Sequence, residues 1–323
     1  MAISKALERG TVLDGKYKLD GMVGEGNFGI TYMATNTQSG ERVAIKEYFP
    51  VELCTREAGS SEVEFTSKQA KGSFEKGLKR FKEMATSLGK LSKEKGIVSV
   101  LGYFTENKTG YMVMEFIDGV TLKEYMYRNG GKIESKKVYE MLIPLLVSLT
   151  KVHKAGLLHR DICPDNIVIT KENYAMLVDF GTARCVDNEG KSVTATLTQG
   201  FAPKEQFMLD EKQGPWTDVY ALCATIYHMV SGTVPIDSVS RFANGEIMVP
   251  LKQICSECTK SFSDAVMYGL EVDVEKRCKS VAELGVQLGK KDRKIPVKVI
   301  VIGALVLVAL IAIAVAILIL THK

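Results

Sequence analysis

The stretch HRDICPDN (159–166) sets a carboxylate, Asp161, five positions ahead of a side-chain amide, Asn166, and LVDFG (177–181) adds a second carboxylate, Asp179, thirteen positions later. A carboxylate beside an alcohol accepts its proton, whereas an amide oxygen and a carboxylate are hard donors suited to Mg2+. These are the groups that phosphoryl transfer to a hydroxyl needs. Asp161 would activate the acceptor, and Asn166 and Asp179 would hold the cations that bridge the phosphates. Two further motifs stand upstream in the order such chemistry asks for. GEGNFG (24–29) supplies Gly24, Gly26 and Gly29, whose bare backbone lets a polyphosphate approach. VAIK (43–46) ends in Lys46, 17 positions beyond Gly29, with a charge to set against α and β phosphates, and Ala44 leaves room for a base ring. Neither motif decides alone. GxGxxG also marks dinucleotide-binding folds, and a lysine at a strand end often only reaches for solvent. A dinucleotide fingerprint needs a helix directly after the glycines, however, and ITYMATN (30–36) is strand-like.

The elements that must hold these residues divide the chain in two. YKLDGMVGEG, FGITYMATN and RVAIKEYF alternate as strands of an antiparallel sheet around the glycine turn. Residues 57–72 are polar without a period and read as a surface loop, followed by a helix predicted over 74–91. IVSVLGYFTENKTGYMVMEFIDG reads as two strands joined by the turn ENKTG. Beyond Asp118 the period changes. Val138, Met141, Leu142, Leu145, Leu146, Leu149 and Val152 recur at helical steps, with Gly156 as a stop. TDVYALCATIYHMVSG predicts a second core helix, with Thr217 as N-cap and Gly232 past its end. FSDAVMYGL and KSVAELGVQLGKK predict two more. A strand lobe followed by a helical lobe is an α+β, bilobed architecture, with the catalytic stretch at the cleft between lobes. No internal repeat is visible.

On these four motifs the chain resembles a eukaryotic-type (Hanks-type) serine/threonine protein kinase of the bacterial kind, over roughly residues 16–289. The resemblance implies an N-terminal extension (1–15), an N-lobe over 16–117 and a C-lobe over 118–289. It implies ATP and Mg2+, with Mn2+ as the other ion, and transfer of the γ-phosphate to Ser or Thr of protein substrates, the chain's own activation loop included. It adds Val23 to the nucleotide-binding glycines, Met114 as gatekeeper, and the backbone of Glu115 and Ile117 against adenine. FAPKEQF (201–207) is similar to the APE segment, with Glu205 as the acid that pairs with Arg277, and Asp218 stands where the family braces its catalytic loop. Arg160 would receive a phosphate carried on Ser192, Thr194, Thr196 or Thr198, the last of these being better placed to support the acceptor pocket. IKEYFP, FEKGLKRF and ITYMA are similar to a bacterial subgroup with an extended strand and a long loop before the helix.

Three positions depart from the family pattern. Cys163 stands where a lysine is common, which removes a charge near the transferred phosphate but neither the base nor the metal ligands. A reactive-thiol role for it would need a lowered pKa. Thr31 replaces a valine that covers adenine. Most seriously, the glutamate expected to pair with Lys46 falls at Met84. Glu83 lies about 100° around the helix, so either it serves through a one-residue shift or Lys46 lacks its usual partner. The alternative to a kinase is therefore a membrane-tethered pseudokinase that binds nucleotide as a scaffold. A small-molecule phosphotransferase of related fold suits FAPKEQ and the hydroxyl-rich loop less well.

Composition narrows the partners. A net charge of +4 over 323 residues, with no long basic run, makes no case for nucleic acid. Seven cysteines without framework spacing fit reduced thiols, and CSEC (255–258) has zinc-ligand spacing but no second pair to complete four ligands. Residues 299–320 carry no charge and as a helix would be about 33 Å long, enough to cross a bilayer. The basic segment KKDRKIPVK (290–298) before them puts the kinase part on the cytoplasmic side of a single-pass cell-membrane protein. The three residues after the span (321–323) are too few for a sensory domain. Ala312 and Ala316 would let two such helices pair into a homodimer.

Overall fold

The computed structural model describes residues 5–180, 198–208 and 210–290. The proposed membrane span, most of the basic segment, Cys185, Ser192, Thr194 and Thr196 lie outside the described residues. Among the described residues no helix is long and apolar enough to cross a membrane.

Alternating apolar residues build six antiparallel strands: β1 (Val12–Leu13), β2 (Tyr17–Gly26), β3 (Gly29–Asn36), β4 (Arg42–Tyr48), β7 (Val100–Glu106) and β8 (Thr109–Glu115), ordered β1-β2-β3-β4-β8-β7. The β7–β8 turn has Asn107 and Lys108 both at positive φ (51° and 61°), the geometry that matches the twist of a tight hairpin. Helix α1 (Lys68–Gly89) buries Phe74, Phe81, Ala85 and Leu88 and packs on β7 and β8. It begins six residues before the predicted start. The Ser67 side chain accepts the Ala70 N–H as an N-cap, and the polar residues that follow hid the first turn. The stretch read as a loop is also partly ordered, because β5 (Cys54–Thr55) pairs with β6 (Glu64–Phe65).

The second lobe is helical around a central helix, α4 (Pro215–Ser231), in which every residue from Thr217 to Ser231 except His228 is buried. Its N-cap is Gly214, not Thr217. Pro215 opens the helix, and the Thr217 hydroxyl accepts the Gly214 N–H from inside the first turn. Around it stand α2 (Leu122–Arg128), α3 (Ser135–Lys154), α5 (Ser238–Asn244), α6 (Leu251–Ile254), α7 (Lys260–Gly269) and α8 (Val281–Leu288). The seven apolar residues expected on the inner face of α3 are all buried. Truncating any of its leucines to alanine would cost about 2–5 kcal/mol. A small sheet, β11-β10-β9 (Ala175–Leu177, Ile167–Thr170, Gly119–Thr121), carries the catalytic stretch on the turn between α3 and β10.

The loop after α1 is anchored in this second lobe. Gly96 O accepts the Leu177 N–H at 2.8 Å, Val98 N–H donates to Leu177 O at 3.0 Å, Ser148 Oγ donates to Lys95 O, and Lys151 pairs with Glu94 at 2.6 Å. Gly96, at φ 100°, is obligatory there, since a Cβ would lie 2.4 Å from the Pro144 carbonyl carbon.

Candidate active site

The glycine hairpin forms between β2 and β3, with Gly26 opposite Gly29 and Gly24 opposite Thr31. Gly29 has no alternative, because a Cβ there would stand 2.4 Å from the Glu47 carbonyl oxygen. Val23 lies at a register shift and is exposed, as flap residues over an open cleft are. Ala44 and Lys46 sit on β4 opposite Met114 and Met112 of β8. Met114 is buried. The Glu115 N–H donates to Ser99 O at 3.0 Å, and its carboxylate accepts the Ser99 N–H at 2.7 Å. The Ile117 N–H has no protein partner among the described residues.

Among the described residues Lys46 makes no ion pair with α1. Its ammonium is almost wholly buried and pairs with the carboxylate of Asp179. Burial pulls the Lys46 amine down to about 8, with the Asp161 carboxylate opposing the fall. Met84 packs against the hydrophobic core, and Glu83 points to solvent with no ion pair among the described residues. The one-residue shift that would have let Glu83 serve is therefore not made, and Lys46 lacks a helix partner.

The catalytic stretch is held by Asp218 at the start of α4. Its Oδ1 accepts the Arg160 N–H at 2.8 Å, and its Oδ2 accepts the His159 N–H at 2.9 Å and His153 Nε2–H at 2.7 Å. Burial works to raise the Asp218 carboxyl, and the His153 and backbone donors outweigh it, holding the group below its usual value. Arg160 sits at φ 68°, a left-handed conformation that a non-glycine residue keeps only when its surroundings impose it. His159 is neutral: Nε2–H donates to Val178 O at 2.9 Å and Nδ1 accepts the Asp161 N–H at 3.3 Å, while burial lowers its pKa. Its ring meets Phe180 edge-on at 4.6 Å.

At the tip of this stretch, Asn166 Nδ2 donates to both the backbone oxygen and Oδ2 of Asp161 at 2.8 Å, and the Thr198 hydroxyl donates to Asp161 Oδ1 at 3.2 Å. Asn166 thereby turns its Oδ1 away from Asp161, and Asp179 meets Lys46 through Oδ1 only. The oxygens left over are hard donors of the kind Mg2+ or Mn2+ takes, so the residues present fit such an ion. Cys163 is buried, and burial pushes its thiol up to about 11, which leaves it protonated and unreactive. Neither Cys255 nor Cys258 is in a disulfide, and among the described residues no three His, Cys, Asp or Glu side chains gather as a metal site.

The expected Glu205–Arg277 pair is present. Arg277 grips the carboxylate with two bonds of 2.6 and 3.1 Å, both side chains are fully buried, and the Thr217 hydroxyl donates to Glu205 at 3.1 Å.

A buried ion pair was not expected. Glu47, next to Lys46 but on the opposite face of β4, is fully buried and ion-paired with Arg56. The signal was in the strand period: Glu47 follows Val43 and Ile45 at two-residue steps, so it shares their core-facing side.

Residues 17–284 match the protein kinase domain model. A probable serine/threonine-protein kinase of Clostridium perfringens is 28% identical over 288 residues, covering 85% of this chain and 38% of that one. The serine/threonine-protein kinase PknA of Mycobacterium tuberculosis is 30% identical over 253 residues, covering 76% and 52%. The chain thus spans about a third to a half of the curated relatives it matches. Among solved structures, the apo form of PpkA-294 superposes with a TM-score of 0.76 at 32% identity, covering 88% of this chain and all of that one. The kinase domain of M. tuberculosis PknI, at 20% identity and a TM-score of 0.63, shares the fold. With the motifs converging on one cleft and the family model covering most of its length, the chain belongs to the protein kinase domain family.

Proposed function

We propose that this chain is an ATP-dependent serine/threonine protein kinase that phosphorylates Ser or Thr of proteins, its own activation loop among them. The observation that carries the reading is the convergence on Asp161, where the Asn166 amide and Thr198 hydroxyl meet one carboxylate, and the adjacent Lys46–Asp179 pair. Asp161 accepts the proton of the acceptor hydroxyl as its oxygen forms a bond to the γ-phosphorus and the bond to the ADP oxygen breaks. The Gly24–Gly29 hairpin covers the phosphates, Lys46 neutralises them, and Glu115 and Ile117 offer backbone groups to adenine. Asn166 and Asp179 would hold Mg2+ or Mn2+, which supplies positive charge against the phosphate oxygens.

The test is label transfer from ATP with Mg2+ to Ser or Thr by the full chain, abolished by Asp161→Asn. Equal silence of both proteins, with nucleotide still raising the melting temperature, would favour a nucleotide-binding scaffold instead.

The uncharged segment 299–320 supports a single membrane span with the kinase domain cytoplasmic, and Ala312 and Ala316 a homodimer contact within it. Membrane fractionation of the full chain against one ending at residue 290 tests the anchor.

A further inference from the structure

Where α1 offers no carboxylate to β4, a second ion pair ties the same strand to the segment that leads into the helix. Both Glu47 oxygens are occupied: Oε1 by Arg56 and the Tyr111 hydroxyl (2.9 Å), Oε2 by the Tyr32 hydroxyl (2.7 Å) and Arg56 again (3.3 Å). Arg56 also donates to backbone. Nε donates to Ser61 O at 3.1 Å and a terminal nitrogen to Lys5 O at 2.6 Å, so one guanidinium joins the N-terminal segment, β4 and the 49–66 insert.

The same guanidinium lies over the Phe49 ring, 4.9 Å from its centre. Phe49 is where the insert touches the glycine hairpin. Its N–H donates to Phe28 O at 3.0 Å, and the Val51 N–H donates to Asn27 O at 3.1 Å. Asn27 and Phe28 are the two residues between Gly26 and Gly29, so the tip of the flap is hydrogen-bonded to a segment fixed by Arg56. At the other end of the insert the Thr66 N–H donates to Leu53 O at 3.2 Å, directly before the Ser67 cap of α1.

We propose that Arg56 is a positioning residue for the nucleotide phosphates, acting through Glu47 and Phe49 to hold the glycine flap. This rests on the reading of the cleft as an ATP site. A planar fork suits the task because it reaches a carboxylate, two carbonyls and a ring face at once, which a lysine does not. The flap is then pre-set from behind the sheet, and its position does not depend on a Lys46–helix ion pair.

Two readouts on the full chain test this. Hydrogen exchange at the Phe49 and Val51 amides needs no nucleotide. In Arg56→Met those amides should exchange about tenfold or more faster than wild type, while α4 amides keep their rates. In the same variant KM for ATP should rise about tenfold, whereas affinity for adenosine, which has no phosphates for the flap to cover, stays within twofold. Arg56→Lys keeps the charge beside Glu47 and serves if Arg56→Met does not fold. It should exchange at an intermediate rate. Unchanged protection of Phe49 and Val51 in either folded variant, or equal losses for ATP and adenosine, overturns the proposal. A wild type without ATP turnover would sink the kinase reading, and the exchange rates alone would then decide for or against the strap.

Discussion

Replacing Asp218 by Asn keeps the side-chain shape while removing its charge and one of its two acceptor oxygens. The wild-type carboxylate serves two sides, the Arg160 N–H on Oδ1 and the His159 N–H with His153 Nε2–H on Oδ2. An asparagine can turn its oxygen to only one of them, and its NH2 group then faces a donor on the other. A hydrogen bond to a charged group is worth about 1.5–3 kcal/mol. That matches the roughly 1–3 kcal/mol stored in a non-glycine residue at left-handed φ, which is the state of Arg160. With its support cancelled, residue 160 relaxes and carries Asp161 away from the acceptor. At about 1.36 kcal/mol per decade, kcat should fall roughly 10- to 150-fold. KM for ATP should stay within about threefold, because the flap, Lys46 and Met114 do not touch Asp218. Steady-state phosphorylation with ATP varied, alongside a melting curve to establish folding, measures both. A folded variant with kcat within threefold of wild type would refute the claim that Asp218 holds a strained loop, as would KM and kcat moving together.

The Lys46 amine, at about 8 against an ordinary 10.5, predicts two pH effects. It is protonated below pH 8 and loses its charge above, so kcat/KM for ATP should decline on an alkaline limb near pH 8, visible in a pH–rate profile. Between about 8 and 10.5 the unfolded chain holds the extra proton, so this group makes nucleotide-free stability rise with pH in that window, which denaturant titrations would register. Met84→Glu sets a carboxylate on the α1 face packed against the core, where it competes with Asp179 for Lys46. Activity should rise about three- to tenfold, and no change would mean that the pair with Asp179 does not limit turnover. Arg277→Met strands a fully buried Glu205 and should cost about 3–5 kcal/mol in urea unfolding; a loss under 1 kcal/mol would contradict that burial.

The chemistry-bearing residues were legible because they lie in short stretches whose spacing is set by backbone geometry. HRDICPDN must turn between a helix and a strand, and GEGNFG must turn between two strands. The core face of α3 was legible from its period. The pairing of Lys46 was not, since Asp179 lies 133 positions away and no local pattern ranks it above a helix glutamate. The start of α1 was missed because a cap serine among polar residues resembles a loop. Glu47 was missed for a different reason: a charge inside an apolar strand invites the reading that it faces solvent, although its step from Val43 and Ile45 says otherwise.

The anchoring of residues 94–98 in the second lobe makes α1 a lever with one fixed end. The helix has 22 residues, about 33 Å at 1.5 Å per residue. A swing of about 10° around its C-terminal fulcrum would carry the Ser67 end through about 6 Å but Met84 through only about 1.3 Å, from the same rise per residue. Displacement at the insert is thus geared down roughly fourfold before it reaches the nucleotide cleft. Small movements at Met84 correspond to large ones at Ser67, which is where a label would report the motion with the greatest sensitivity.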